Sequence, residues 1–165
     1  MTDEKWRSNA SLLYLTENNY MRYILLLLLS CISQILPAQT KVRINHTAIY
    51  VTNLKVSAAF YRDIISLDTI AEPFHDGKHA WFDTGFGTAL HIIEGAEAKR
   101  AYYKNQHTCY SVSDLQVFMK KLIKAKIDFE DVAGKTGAFT TRPDGVHQLW
   151  LRDPDGYWIE VNDAR

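Results

Sequence analysis

This chain has little that would attract a partner by charge, staple it by disulfides or let it span a bilayer. Its 19 basic and 19 acidic residues leave a formal net charge of zero, so neither a polyanion nor an anionic membrane surface would be drawn to it electrostatically. Nucleic acid is not an expected partner. Cysteine is scarce, with Cys31 and Cys109 the two copies, and if the segment holding Cys31 is removed no intramolecular disulfide can form. The apolar runs fall short of the roughly 20 residues that cross a bilayer comfortably. No low-complexity stretch interrupts the chain. What remains is 165 residues, 47% hydrophobic and 23% charged, enough for one domain with a real core.

The first forty residues differ from the rest. Arg22 precedes the run Tyr23-Ile24-Leu25-Leu26-Leu27-Leu28-Leu29, and a weaker apolar stretch leads to Leu36-Pro37-Ala38. A basic flank, a short apolar run and a small residue read as a secretory signal peptide over residues 21–39, cleaved after Ala38 or Gln39. The mature protein is then expected in the periplasm or outside the cell. Residues 1–20 precede Met21, itself able to serve as a start, and are an uncertain extension. Alternatively, Leu28-Leu29-Ser30-Cys31 is a lipoprotein box, and the protein meets a membrane only through a lipidated Cys31.

Downstream, residues 44–51 have strand composition, and Asn53 then caps a helix on which Leu54, Ala58, Tyr61 and Ile65 recur at helical spacing. Short strands follow at Thr69–Glu72, His79–Asp83 and Thr88–Ile93, separated by Asp76-Gly77 and Gly85-Phe86-Gly87 turns. The order then repeats. A strand at 107–112 precedes a capping box of Ser113 and Gln116, and the helix it opens should run to about Lys126. Strands near Asp128–Glu130, Ala138–Thr141, Val146–Arg152 and Tyr157–Val161 complete the copy, the last two joined by Asp153-Pro154-Asp155-Gly156. The chain thus reads as α+β, with two βαβββ units at 42–95 and 105–163. Glu94–Asn105 joins them as a linker or a mobile flap.

The repeat starts on histidine. His46-Thr-Ala-Ile-Tyr-Val-Thr-Asn-Leu54 reappears as His107-Thr-Cys-Tyr-Ser-Val-Ser-Asp-Leu115. Each copy closes on a strand holding another metal-competent side chain, His91 in the first and Glu160 in the second. Alternation puts each leading histidine on a face with small or polar company: Ala48 and Tyr50 beside His46, Cys109 and Ser111 beside His107. If the first and last strands of each unit are neighbours, His46 meets His91 and His107 meets Glu160, and two units side by side would gather four donors. A lone strand histidine is more often structural. Here the same position of both copies carries one, so His46, His91, His107 and Glu160 are the expected ligands of a divalent Zn, Fe, Ni, Mn or Co ion. A set without thiolate argues against a closed structural zinc site and for an open catalytic one.

Taken together, Ile44-Asn45-His46-Thr47, Phe60-Tyr61-Arg62-Asp63-Ile64-Ile65-Ser66-Leu67, Leu90-His91-Ile92-Ile93, His107 through Leu115, and Asp153 through Glu160 resemble the vicinal-oxygen-chelate superfamily. That superfamily includes glyoxalase I, extradiol dioxygenases, fosfomycin-resistance proteins and bleomycin-binding proteins. The resemblance spans about residues 42–163. It implies paired βαβββ units forming a curled mixed sheet around a metal site, with ligation on His46, His91, His107 and Glu160. Two positions depart from glyoxalase I: His91 stands where a glutamate ligand or base is common, and Tyr50 where an arginine gripping glutathione is often found.

Three functions follow as expectations. The first is an exported, metal-dependent lyase or isomerase acting on a small molecule with adjacent oxygens, with Glu160 and His91 as catalytic residues. The second is an Fe(II) extradiol-type dioxygenase on His46, His107 and Glu160, with His91 as acid/base. The third is a non-catalytic antibiotic-binding protein whose cleft is lined by Trp81, Phe82, Tyr102, Tyr103 and Trp150. Pairing of the units within one chain and exchange between two chains of a homodimer would bring the same residues together. His75, His79 and His147 lack repeat partners and read as surface or core residues. Arg142, Lys135 and Asn105 read as solvated loop residues.

Overall fold

The computed structural model describes residues 20–27 and 41–165, so Ala38, Gln39 and Cys31, on which the processing expectations rest, lie outside the described residues. The chain divides between Arg43 and Ile44. In the first unit, residues 20–27 form a helical stretch, α1, whose apolar side chains stand more than half exposed. Among the described residues, no helix is long and apolar enough to cross a membrane.

The second unit is α+β. Its first half runs β1 (His46–Val51), α2 (Leu54–Ala59), a π-helical turn (Phe60–Ile65), β2 (Thr69–Ile70), β3 (His79–Gly85) and β4 (Thr88–Glu94). The second half runs β5 (His107–Ser111), α3 (Leu115–Ala125), β6 (Phe129–Glu130), β7 (Thr140–Thr141), β8 (His147–Arg152) and β9 (Trp158–Asn162). The order is βαβββ in the first half and the same with one additional two-residue strand in the second.

Local chemistry sets the element ends. Asn53 is extended and its Oδ1 accepts the Val56 N–H at 3.0 Å, satisfying a donor that the first helical turn leaves free. The matching role in the second half falls to Asp114, which accepts the Val117 N–H at 2.9 Å, one residue beyond the expected Ser113. An ionised carboxylate also suits the positive end of the helix. Leu115, Phe118 and Leu122 then bury one face, and Lys126 at φ 56° ends the helix. The expected helix over 54–65 departs from α geometry at Phe60. Consecutive Phe60 and Tyr61 are both buried, as is Ile65, and the Leu67 N–H reaches back to the Tyr61 carbonyl at 3.0 Å. The wider turn accommodates this.

The strands form two mixed sheets, ordered β1-β4-β3-β2 and β5-β9-β8-β6, with β7 against β8. The first and last long strands of each half are parallel neighbours, as the pairing of donors requires. The expected α+β fold of paired units stands, each half forming its own mixed sheet with no strand of the joining segment between them.

One core lies between the halves. Ile49, Val51, Phe82, Leu90 and Ile92 of the first sheet share it with Leu149, Leu151, Ile159 and Val161 of the second and with Phe60, Leu115, Phe118 and Leu122 of the helices. Each such side chain contributes about 1.5–3 kcal/mol on full burial. Polar clamps reinforce the joint at the Asp153–Gly156 turn: Asp155 accepts the Thr52 N–H and hydroxyl at 2.7 and 2.8 Å and the Ser57 hydroxyl at 2.8 Å, and Asp153 accepts the Tyr61 hydroxyl at 3.0 Å. The joining segment is tied down and is a linker, not a flap. Gly95 and Ala96 both donate to the Val51 carbonyl, Trp158 Nε1 donates to the Tyr102 carbonyl at 2.9 Å, and Lys104 pairs with Glu130.

Candidate metal centre

Because β1 turns Ile49 and Val51 into the core, period-two alternation turns His46, Ala48 and Tyr50 outward. On β4 the same alternation separates core residues Leu90 and Ile92 from His91 on the outer face. The second sheet repeats this, with Ile159 and Val161 inward and Glu160 on the face that also carries His107 and Cys109. The register matches position for position. His91 lies opposite Ala48 and Trp81, and Glu160 lies opposite Cys109 and Trp150. The sequence repeat is therefore a repeat of side-chain placement.

The two leading histidines are oriented alike. His46 Nδ1 lies 2.8 Å from Asn45 Oδ1, and His107 Nδ1 lies 3.0 Å from the Lys104 carbonyl oxygen. Both partners are oxygen acceptors, so Nδ1 carries the proton and the Nε2 lone pair is left free, the arrangement that outer partners impose on metal-binding imidazoles. Glu160, 7% exposed, receives the Asn162 amide on Oε1 at 2.9 Å and turns Oε2 to His107 Nε2 at 3.3 Å. With Nδ1 protonated, two acceptors face each other across that gap. Either a second proton on the imidazole or a cation between the two would satisfy that contact, and a nitrogen with a carboxylate oxygen suits a divalent ion of the Zn, Fe, Ni, Mn or Co group. His46, His107 and Glu160 are donor types that suit such an ion, but the chain brings only His107 and Glu160 together.

His91 is different. Its Nε2 is engaged by His79 Nδ1 at 2.7 Å. The ring, 6% exposed, stacks on Trp81 with centroids 4.1 Å apart, and on its other neighbours His79 at 4.9 Å and Phe74 at 5.8 Å. Burial, and after it the neighbouring His79 and His46, push its pKa below the ordinary imidazole range. His79 was not legible as a functional residue from the repeat. The signal that marks it is alternation along β3, which puts His79 and Trp81 on one face, combined with the pairing of Trp81 opposite His91.

The structure gathers the expected ligands as two pairs. His46 and His91 have ring centroids 6.0 Å apart, and His107 contacts Glu160. Among the described residues, no group of three or more His, Cys, Asp or Glu side chains is placed to hold a metal ion. The reason is the core: the inner sheet faces are packed together, so the donor faces look outward. Cavities of about 420 and 530 Å³ lie elsewhere, one lined by Tyr50, Arg100, Tyr102 and Tyr157, the other by Phe129, Trp150, Arg152 and Trp158. Neither is lined by any of the four donors.

The other candidates have ordinary roles. Phe82 is in the core, Tyr103 is exposed, Tyr102 stacks on Tyr157 at 4.2 Å, and Trp150 meets the His107 ring edge-on at 4.4 Å, so the five aromatics share no single cleft. His147 pairs with Asp163 at 2.8 Å, Arg142 with Asp144 at 2.6 Å, and His75 lies near Glu72. Lys135 and Asn105 are exposed loop residues. Cys109 lies between His107 and Glu160 on the outer face, where burial and then the Glu160 carboxylate push its thiol up to about 12. It is not a reactive thiolate.

Two parallel-closed units with duplicated donors define the class. The chain belongs to the Glyoxalase/Bleomycin resistance protein/Dioxygenase superfamily, whose model matches residues 43–161. It is 27% identical over 124 residues to "Uncharacterized protein YwbC" of Bacillus subtilis, covering 72% of this chain and 94% of that one. It is 25% identical over 125 residues to "Glyoxylase I 4" of Arabidopsis thaliana, covering 72% and 68%. The solved structure "Oxidase ChaP-H1" superposes with a TM-score of 0.62 at 25% identity, covering 76% of this chain and 98% of that one.

Proposed function

We propose that the protein is a metal-dependent enzyme that moves a proton on a small molecule bearing two adjacent oxygens, a lyase or isomerase of the glyoxalase kind. The observation that carries this reading is the division of labour among the imidazoles: His46 and His107 each turn Nδ1 to an oxygen acceptor, His107 directing Nε2 at Glu160, whereas His91 Nε2 is engaged by a second imidazole. His46, His107 and Glu160 would hold the ion. When bound, a divalent metal supplies Lewis acidity toward substrate oxygens. His91 would exchange a proton with the substrate at Nε2 once that nitrogen leaves His79, with which it shares the proton at rest, while Trp81 stacked on its ring fixes the imidazole plane. The likeness to "Glyoxylase I 4" supports this reading.

The outward-facing donor pairs further support a homodimer in which the first unit of one copy faces the second unit of the other, so that each site takes His46 and His91 from one chain and His107 and Glu160 from its partner. Intrachain convergence would require breaking the shared core. The exposed apolar side chains of α1 are in keeping with an export segment, and we propose a secreted or periplasmic location on that ground and on the sequence pattern.

A second reading has its own observation. With His91 engaged elsewhere, the remaining set is two histidines and one carboxylate, which suits Fe(II) oxygen chemistry, and the likeness to "Oxidase ChaP-H1" supports it. An antibiotic-binding role loses its footing because the aromatics do not form one cleft. Metal identification on protein purified without oxygen, followed by oxygen uptake during turnover of a vicinal diol or an α-ketoaldehyde, decides the matter. Turnover with no oxygen consumed is the expected result. Stoichiometric oxygen consumption would establish the second reading, and a protein that takes up no metal would overturn both.

A further inference from the structure

We propose that the cavity of about 420 Å³ between the joining segment and the Asp153–Gly156 turn is a separate small-molecule site, built for a carboxylate carried on a planar ring. Its volume lies in the range of ligand pockets. Gly95, Ala96 and Ala98 of the joining segment are small and leave the space open. The chemistry comes from Arg100 and from a wall of three tyrosines, Tyr50, Tyr102 and Tyr157.

The walls are fixed before any ligand arrives. Gly95 and Ala96 donate to the Val51 carbonyl at 3.0 and 3.1 Å. Gly95, at φ 140°, backs onto Tyr50, whose hydroxyl an added Cβ would strike, and Gly156, at φ 96°, backs onto the Arg100 carbonyl oxygen, only 2.7 Å from where a Cβ would stand. Glycine is needed at both contacts. The Tyr157 hydroxyl accepts the Tyr50 N–H and donates to the Tyr50 carbonyl, both at 3.2 Å. Tyr102 stacks on Tyr157 with centroids 4.2 Å and planes 22° apart. A flat wall held in this way costs an arriving ring little reorganisation.

Charge selects the ligand. Among the described residues, the Arg100 guanidinium has no carboxylate or carbonyl partner. Its charge reaches the tyrosine wall: burial, and then Tyr157, push the Tyr102 hydroxyl up to about 12, and Arg100 acts against them. A planar fork of donors matches a carboxylate. Asp155 also lines the cavity, but the Thr52 and Ser57 donors already cover both its oxygens. Its charge and that of Glu97 make a dianion such as phosphate the poorer fit. Tyr50 shares a face with His46 but lies four residues along β1, roughly 13 Å away. The site therefore stands apart from the candidate metal centre and rests on no ion there.

The test is calorimetric titration of the full-length protein with sodium benzoate, each variant being checked for folding by circular dichroism. The wild type should bind, and Arg100→Gln should weaken binding by at least about tenfold. Arg142→Gln, which removes a guanidinium already paired with Asp144, should leave it unchanged. Ala98→Trp, which fills the space while keeping Arg100, should abolish it. Benzamide has the ring without the charge, and cyclohexanecarboxylate the charge without the flat ring, so each should bind less tightly than benzoate. Inorganic phosphate should not compete. A wild type that binds no benzoate would overturn the inference. So would undiminished affinity in folded Arg100→Gln or Ala98→Trp, or phosphate binding as tight as benzoate's, and each of these results leaves the metal reading standing.

Discussion

Asp153 is a buried carboxyl whose surroundings make folding depend on pH. Burial, working against hydrogen bonds from Tyr61 and from the Tyr157 and Asp155 amides, pushes its carboxyl from the ordinary 3.8 up to about 6. A carboxyl that holds its proton more tightly when folded adds stability that is complete below the unfolded value and is lost as pH rises through the folded one. Stability should therefore fall between about pH 4 and 6, by at most about 3 kcal/mol. Asp153→Asn keeps an acceptor for both amides without the charge, so denaturant melts should show a flatter profile over that range and a more stable variant than wild type at pH 8. At the candidate site, His46→Ala and Glu160→Ala should each abolish bound metal in a folded protein, whereas His91→Ala should keep the metal and lose turnover. Elemental analysis beside circular dichroism checks both. The pairing of His46 with His91 and of His107 with Glu160 was legible in the sequence because the repeat and period-two alternation fix which faces they share. The bond from His79 to His91 was not. It depends on the register between β3 and β4, which no pattern along a single strand carries.

Elements were readable wherever periodicity and a turn former coincided. The Gly85-Phe86-Gly87 hairpin and the Asp153–Gly156 turn both stand where the sequence puts them, with Gly85, Gly87 and Gly156 in the left-handed region. Helix starts were less well defined because Ser113 and Asp114 are both capping types, and the backbone chooses between them. Asp114→Ala should cost about 1 kcal/mol, while Ser113→Ala should leave stability nearly unchanged. Thermal melts of the two variants distinguish the caps, and a larger loss from Ser113→Ala would contradict this assignment. The π-helical turn was not legible. The stretch from Leu54 to Ile65 satisfies a helical period, and it is the simultaneous burial of Phe60 and Tyr61 against the second half that widens it. β2, β6 and β7 are short because each is an edge strand paired on one side over two residues.

At the scale of the whole molecule, the two halves form a single core through their inner faces and present donors on their outer ones. The sequence carries the duplication but not this choice, because convergence of the units within a chain and between chains uses the same residues. The proposal that a second copy completes the site makes a prediction that no intrachain site shares. His46→Ala and Glu160→Ala chains carrying different tags are co-expressed, and the mixed dimer is isolated through both tags and analysed for metal. In an exchanged dimer, one site collects both defects and the other collects none. About one metal ion per mixed dimer, against none in either parent, is the predicted result. A mixed dimer as empty as its parents, or chains that never associate, would contradict the account.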